Sequence, residues 1–324
     1  MCFYYGARAQ VKGGFQLAAE GFSSYYKLME TLNEWGLQVV RSVQRIFGSG
    51  LVVPMQVITF LGSEGFILAV LPLLYWCVDR KKGARISMVI VFSAFLNLWV
   101  KILFAAPRPY NLDPSVGLAK EATTGFPSGH SQTSLTFWGM MQNVLPRKLG
   151  LPALILIPLL VGFSRVYLGV HFPHDVIGGW ALGLLTLAAA AFFGNRIEQT
   201  LRQLHFRYRI LVAAAVALMM NFLMPADTML SGAFFGSAIG FAMVSRDLRF
   251  NAAEGAFVQK LLRYALGLAV TVLIYLGPKL VTSALPASQE ALVRFIRYGF
   301  VGFWISFGAP WLFLKVKLAK LEEI

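Results

Sequence analysis

Apolar runs of roughly 20 residues, the length that spans a bilayer core as a helix, recur along the chain between short polar segments. They cover 50–78, 84–105, 130–145, 150–168, 174–194, 210–225, 229–245, 264–284 and 298–315. Such runs satisfy their backbone internally only as helices, so the pattern predicts an all-α polytopic transmembrane helix bundle. The first run is interrupted at Gly62, Ser63, Glu64 and Gly65, so it reads as one span plus a partial helix or as two short spans. The count is therefore eight or nine spans. Residues 15–48 mix apolar and polar positions without a full span and predict an amphipathic helix at the membrane surface.

The organisation follows from the same pattern. Residues 1–48 form an N-terminal amphipathic segment, 49–200 a front block and 201–324 a back block of additional transmembrane helices. The basic stretch 195–209 marks the seam between the last two.

Composition sharpens this picture. Hydrophobic residues make up 57% and charged residues only 14%, with a mean hydropathy of +0.64. A soluble domain carries about a quarter charged residues, so this chain lacks the polar surface to coat itself in water. The net charge of +14 does not imply nucleic acid, because the basic residues are parcelled into the loops and do not alternate with aromatics. Two cysteines, Cys2 and Cys77, make neither a disulfide framework nor a metal site, and Cys77 reads as packing. The N-terminus lacks the compact pattern of a cleavable signal.

If the loops alternate sides, segments 79–85, 146–149, 195–209, 246–263 and 315–324 share one face and hold seventeen Lys and Arg. The other face receives six: Arg108, Lys120, Arg165, Lys279, Arg294 and Arg297. The basic-rich face is expected to be cytoplasmic.

Three short stretches on the other face carry the chemistry. Lys101 and Arg108 are seven apart, about two helical turns, and so fall roughly on one face. Both reach a single polyanion in that reading, although two snorkelling basic residues at a span end would look the same. Pro107 and Pro109 stop the helix there. Pro127, Ser128, Gly129 and His130 open an apolar run with helix-entry chemistry, where free N–H groups and the helix dipole suit phosphate oxygens. An ordinary helix cap with an incidental histidine is the plainer alternative. Ser164 and Arg165 end one run, and His171 and Asp175 begin the next. A helix starting near Pro173 brings the carboxylate beside the imidazole, selecting its tautomer and sharpening the other ring nitrogen as a nucleophile. His174 is spaced poorly for that contact and reads as a rim or packing residue.

These stretches match a known pattern: Lys-x6-Arg-Pro, then Pro-Ser-Gly-His, then Ser-Arg-x5-His-x3-Asp. On them the chain resembles the type 2 phosphatidic-acid phosphatase superfamily over roughly residues 50–195. The resemblance implies a six-helix-type phosphatase core and an integral-membrane lipid phosphatase. It implies that His171 is the nucleophile, forming a phosphohistidine, with Asp175 orienting it and His130 as general acid. Lys101, Arg108, Ser128, Gly129 and Arg165 would hold the phosphoryl oxygens. Phosphoryl transfer needs in-line positioning and charge neutralisation above all, which three cations and a helix terminus supply. No Asp/Glu cluster suited to magnesium is present, so neither a metal nor another cofactor is expected.

Other features are secondary. Tyr110, Asp113, Lys120 and Glu121 read as solvated loop residues rather than head-group contacts, and Glu64 as either near the site or a turn residue. Trp138 reads as packing. The back block carries no catalytic pattern; shaping a lipid path, pairing two copies as a homo-oligomer, and bracing the front block are all open to it. The expected partners are a phosphorylated lipid substrate and the bilayer itself. The expected activity is hydrolysis of a lipid phosphate or polyprenyl diphosphate at the extracytoplasmic face. A phosphotransferase with the same intermediate, a sugar-phosphate phosphatase, and a silent lipid transporter or scaffold are the alternatives. The expected location is a plasma (inner) membrane with the site facing the periplasm or exterior, or an endoplasmic-reticulum membrane with a lumenal site.

Overall fold

A computed structural model describes the backbone of residues 14–225, 227–282 and 287–322, and the side chains of 27–225, 227–277 and 289–322. Cys2, the rest of residues 1–13 and the Lys279 side chain counted above lie outside the described residues. Among those described, the elements are helical, apart from an isolated bridge between Phe250 and Leu321. Helix α1 (Gly14–Phe47) leads through a short turn into α2 (Val52–Phe60) and α3 (Glu64–Cys77). A turn at 61–63 separates α2 from α3, so that of the expected interruption Glu64 and Gly65 already belong to α3, and Ser63 caps α3 by accepting from Phe66 N at 3.2 Å. Asp79 caps α4 (Arg80–Phe104) by accepting from Lys81 N and Lys82 N, each at 2.9 Å.

A one-turn α5 (Pro109–Leu112) and a loop then lead to α6 (Gly129–Met141), α7 (Arg147–Tyr167) and α8 (Pro173–Gln203). The back block consists of α9 (Phe206–Leu223), α10 (Met229–Met243), α11 (Phe257–Thr282), α12 (Ala287–Phe303) and α13 (Ala309–Lys315).

Seven of these helical stretches are long and apolar enough to cross a bilayer: Ser49–Cys77, Arg80–Leu112, Arg147–Tyr167, Pro173–Gln203, Phe206–Leu223, Met229–Leu248 and Phe257–Gly277. Two of the expected runs fall outside that set. Helix α6 has 13 residues, roughly 20 Å at the usual helical rise. The 298–315 run is diluted by Gly, Ser, Pro and Trp and broken by a π turn at Trp304–Gly308. Both still pack inside the bundle, α6 among α4, α7 and α8, and α12 along α10.

The bundle keeps many large apolar side chains on its outside, as a bilayer permits and water does not. Leu185 is 65% exposed, Phe192 77% and Phe222 84%. Inside, α3, α4 and α6 close around Ile67, Leu71, Ile86, Ile90, Phe137 and Met140. Front and back blocks meet where Tyr75 and Trp76 pack against Val244, Phe250 and Phe313. Close helix approach in lipid relies on small residues. A Cβ added to Gly236 of α10 would sit 1.9 Å from the Gly299 carbonyl oxygen of α12.

The end of the bundle that carries the three motif stretches is closed by α1. Val40 packs with Val116, Val166 and Val176, and Arg41 pairs with Asp113 at 2.6 Å. Gln44 donates to the Val116 and Tyr167 carbonyls, both at 2.8 Å. Gly169 completes this floor at a φ of +66°, a left-handed conformation that favours glycine. The opposite end is tied by Arg85 to Glu198 at 2.5 Å and by Arg80 to Glu322 at 2.8 Å.

Candidate active site

Helix ends bring the motif residues together. Lys101 lies in the last turn of α4, which stops at Ala105 in the left-handed region with φ 44°. Arg108 follows in extended backbone, so the expectation that it shares a helical face with Lys101 is wrong. The helix ends before the prolines, and the two cations are gathered instead by one loop, whose successive carbonyls both of them engage. Lys101 donates to the Thr124 and Gly125 carbonyls at 2.5 and 3.0 Å. Arg108 Nε donates to the neighbouring Thr123 carbonyl at 2.7 Å.

Ser128 is the N-cap of α6, its side chain accepting from Ser131 N at 3.4 Å and from Ser131 Oγ at 2.9 Å. Its own N–H donates to the Asp175 carbonyl at 2.9 Å, which joins the start of α6 to the start of α8. That approach depends on Gly179, where an added Cβ would lie 2.5 Å from the Ser128 carbonyl oxygen. Gly129 is the first residue of α6 and His130 the second.

His171 precedes α8, and Asp175 sits in its first turn. Asp175 Oδ2 accepts from Phe172 N at 2.9 Å and lies 3.2 Å from His171 Nδ1. The hydrogen-bond pattern therefore puts the ring proton on Nδ1. Nε2 carries the lone pair and faces Arg108 Nη1 at 3.1 Å. Burial, and then the charges of Arg108, Arg165, Lys101 and His130, hold the His171 imidazole well below its usual pKa. The ring is neutral at neutral pH, with its lone pair directed at a guanidinium. His174 stacks on Phe172 at 5.1 Å, with Nε2 3.5 Å from Asp175 Oδ1.

Arg165, near the end of α7, is 2% exposed. It donates to Thr59 Oγ1 at 2.9 Å and pairs with the Glu121 carboxylate. Lys101, Arg108, His171 and Asp175 are likewise buried. Three cations, two histidines and a carboxylate thus converge at one end of the bundle. In a low-dielectric setting this cluster can neutralise a multiply charged oxyanion far more strongly than water-exposed groups can. Among the described residues no group of His, Cys, Asp and Glu is arranged to hold a metal ion.

Several residues here escaped the sequence reading. Glu121 is not a solvated loop residue; it is the partner of Arg165. Thr59 and Thr123 complete the settings of Arg165 and Arg108. A buried polar ladder underlies the start of α6. Asn97 donates to Gln132 Oε1, and Gln132 Nε2 to Ser93 O and Oγ, each at 2.8 Å. Polar residues at Ser131, Gln132, Ser134 and Thr136 inside an apolar run were the available signal.

Residues 82–199 match the PAP2 superfamily, and residues 228–321 match the transmembrane extension of PAP2 superfamily phosphatases. Phosphatidylglycerophosphatase B of Bacillus subtilis is 33% identical over 157 residues, 44% of this chain and 74% of that protein. The chain belongs to the PAP2 superfamily. An undecaprenyl-diphosphatase of Sulfolobus acidocaldarius is 33% identical over 123 residues, 37% of this chain and 57% of that protein. Sphingosine-1-phosphate phosphatase 2 of Mus musculus is 29% identical over 136 residues, 40% of this chain and 38% of that protein. The chain therefore spans less than two thirds of the latter two. This PAP2 chain is an integral-membrane phosphatase, a hydrolase of phosphoric monoesters or diphosphates.

Proposed function

We propose that this PAP2 phosphatase removes phosphate from a lipid phosphate or polyprenyl diphosphate at the extracytoplasmic face, through a phosphohistidine on His171. The observation that carries the reading is the two-sided setting of His171, with Asp175 at Nδ1 and Arg108 at Nε2.

In the first step Nε2 attacks phosphorus as the ester or anhydride P–O bond breaks, and His130 delivers a proton to the departing oxygen. Asp175 stabilises the positive charge that develops on the imidazole. In the second step water attacks the phosphohistidine, His130 takes a proton from it, and the P–N bond breaks to release phosphate and restore His171. Lys101, Arg108 and Arg165, with Ser128 and the Gly129 N–H at the α6 terminus, hold the equatorial oxygens through both steps. No step calls on a metal.

Three relatives named for lipid substrates support an amphiphilic substrate, as does a site set at the ends of apolar helices. The excess of Lys and Arg in the loops away from the site supports an extracytoplasmic orientation. Purified protein offered a panel of phosphatidate, phosphatidylglycerophosphate, sphingosine phosphate and undecaprenyl diphosphate is expected to release inorganic phosphate from at least one. EDTA is expected to leave that turnover within about twofold, since the neutralising charges belong to the chain. A phosphorylated acceptor in place of free phosphate would instead identify a phosphotransferase, and strong inhibition by EDTA would overturn metal independence.

A further inference from the structure

One short stretch of chain engages all three cations of the cradle. Lys101 donates to the Thr124 and Gly125 carbonyls, Arg108 to the Thr123 carbonyl and hydroxyl, and Arg165 to the Glu121 carboxylate. The carbonyls are neutral dipoles, and a cation can share them with a phosphate oxygen. Glu121 is different, because it brings a full negative charge. Burial acts to raise the Glu121 carboxyl, but the charge and hydrogen bond of Arg165, with smaller contributions from His130 and Arg108, together leave it below the usual carboxylate range.

The carboxylate is also held on purpose-built backbone. The Tyr110 hydroxyl donates to the Glu121 carbonyl at 3.0 Å and accepts from Glu121 N at 3.3 Å. Leu118 N donates to the Leu168 carbonyl at 3.1 Å, pinning the same loop to the end of α7. Behind Arg165, the Nε atom is buried without a hydrogen-bond partner. Its guanidinium thus keeps donor capacity in reserve while one arm is committed to Glu121.

A phosphoryl group bound at Arg165 would lie against this carboxylate. Two anions sharing one buried guanidinium repel strongly where solvent screening is weak. An empty cradle with three uncompensated buried cations would be costly too. A carboxylate that leaves when phosphate arrives resolves both problems.

We propose that Glu121 is a resident counter-ion of the cradle that an incoming phosphoryl group must displace from Arg165, so that the 121–125 strap lowers resting affinity for phosphate and promotes product release. This rests on the reading of Lys101, Arg108 and Arg165 as the phosphoryl-binding set.

The test is direct titration of inorganic phosphate into the full-length protein in detergent, by calorimetry, for wild type, Glu121→Gln, Glu121→Ala and Arg108→Ala. Both Glu121 variants are expected to bind phosphate roughly tenfold or more tightly than wild type, as loss of a competing buried charge requires. Their KM for a lipid phosphate is expected to fall without a rise in kcat, because release of phosphate slows. If neither variant binds more tightly while Arg108→Ala abolishes binding, the cradle stands and the displacement proposal is overturned. If Arg108→Ala leaves phosphate binding unchanged, the phosphoryl-binding reading itself fails and the proposal falls with it. Gel filtration identifies variants that remain folded, and either Glu121 variant alone suffices.

Discussion

Replacing His171 with alanine is expected to lower phosphatase turnover by at least ~10⁴-fold, the scale of loss when a covalent nucleophile is removed. The neighbours of this imidazole explain the size of the effect. Asp175 fixes the proton on Nδ1, and burial, reinforced by the nearby cations, keeps the ring neutral, so Nε2, which faces Arg108 in the resting site, is the ring nitrogen left to attack. The adjacent His174 lacks that setting, since it is stacked on Phe172 and its Nε2 lies 3.5 Å from Asp175 Oδ1. His130→Ala is expected to lose less, about 10²–10⁴-fold, as befits a proton donor. With an aryl phosphate whose leaving group needs no proton, that variant should still form the phosphoenzyme. Steady-state assays on a lipid phosphate and on an aryl phosphate check both statements. A His171→Ala protein with near-native turnover would remove the basis of the mechanism.

The second large effect concerns stability. Arg263 is 1% exposed and donates to four backbone carbonyls: Trp76 at 2.8 Å, Ala252 at 3.0 Å, Glu254 at 2.9 Å and Leu318 at 2.8 Å. One guanidinium therefore fastens the end of α3 to the loop before α11 and to the C-terminal segment. Arg263→Leu leaves those carbonyls without their donor in a buried setting, and the expected cost is about 3–5 kcal/mol. Thermal unfolding in detergent should show a clear drop in midpoint, with kcat of the folded fraction at low temperature close to wild type. An unchanged midpoint would mean that water or neighbouring groups replace the guanidinium without loss. The back block is thus fastened to the front block at the end away from the chemistry, and it also packs along α4, where Phe95 meets Met220 and Met224.

The extent to which sequence foretold structure differs between the two blocks and the site. Hydropathy located the apolar helices well, because a lipid-facing helix must be apolar around most of its surface. It misjudged lengths where a helix is protected by neighbours. Helix α6 needs only 13 residues because α4, α7 and α8 surround it. The bond between His171 and Asp175 was legible, since a four-residue offset across a helix start fixes the contact locally. The pairing of Glu121 with Arg165 was not, because it joins residues 44 apart through a loop whose path depends on Tyr110 and Leu168. The same holds for Arg108, whose position is set by carbonyls at 123 and 170 rather than by its spacing from Lys101.

Trapping the enzyme in mid-reaction tests the central claim most directly. A substrate labelled in the phosphoryl group, mixed with enzyme and quenched in alkali within one turnover, should leave an acid-labile, alkali-stable label on a peptide containing His171. The label should be absent from His171→Ala. Label on a different side chain, or full turnover by the variant in the same experiment, would contradict the account.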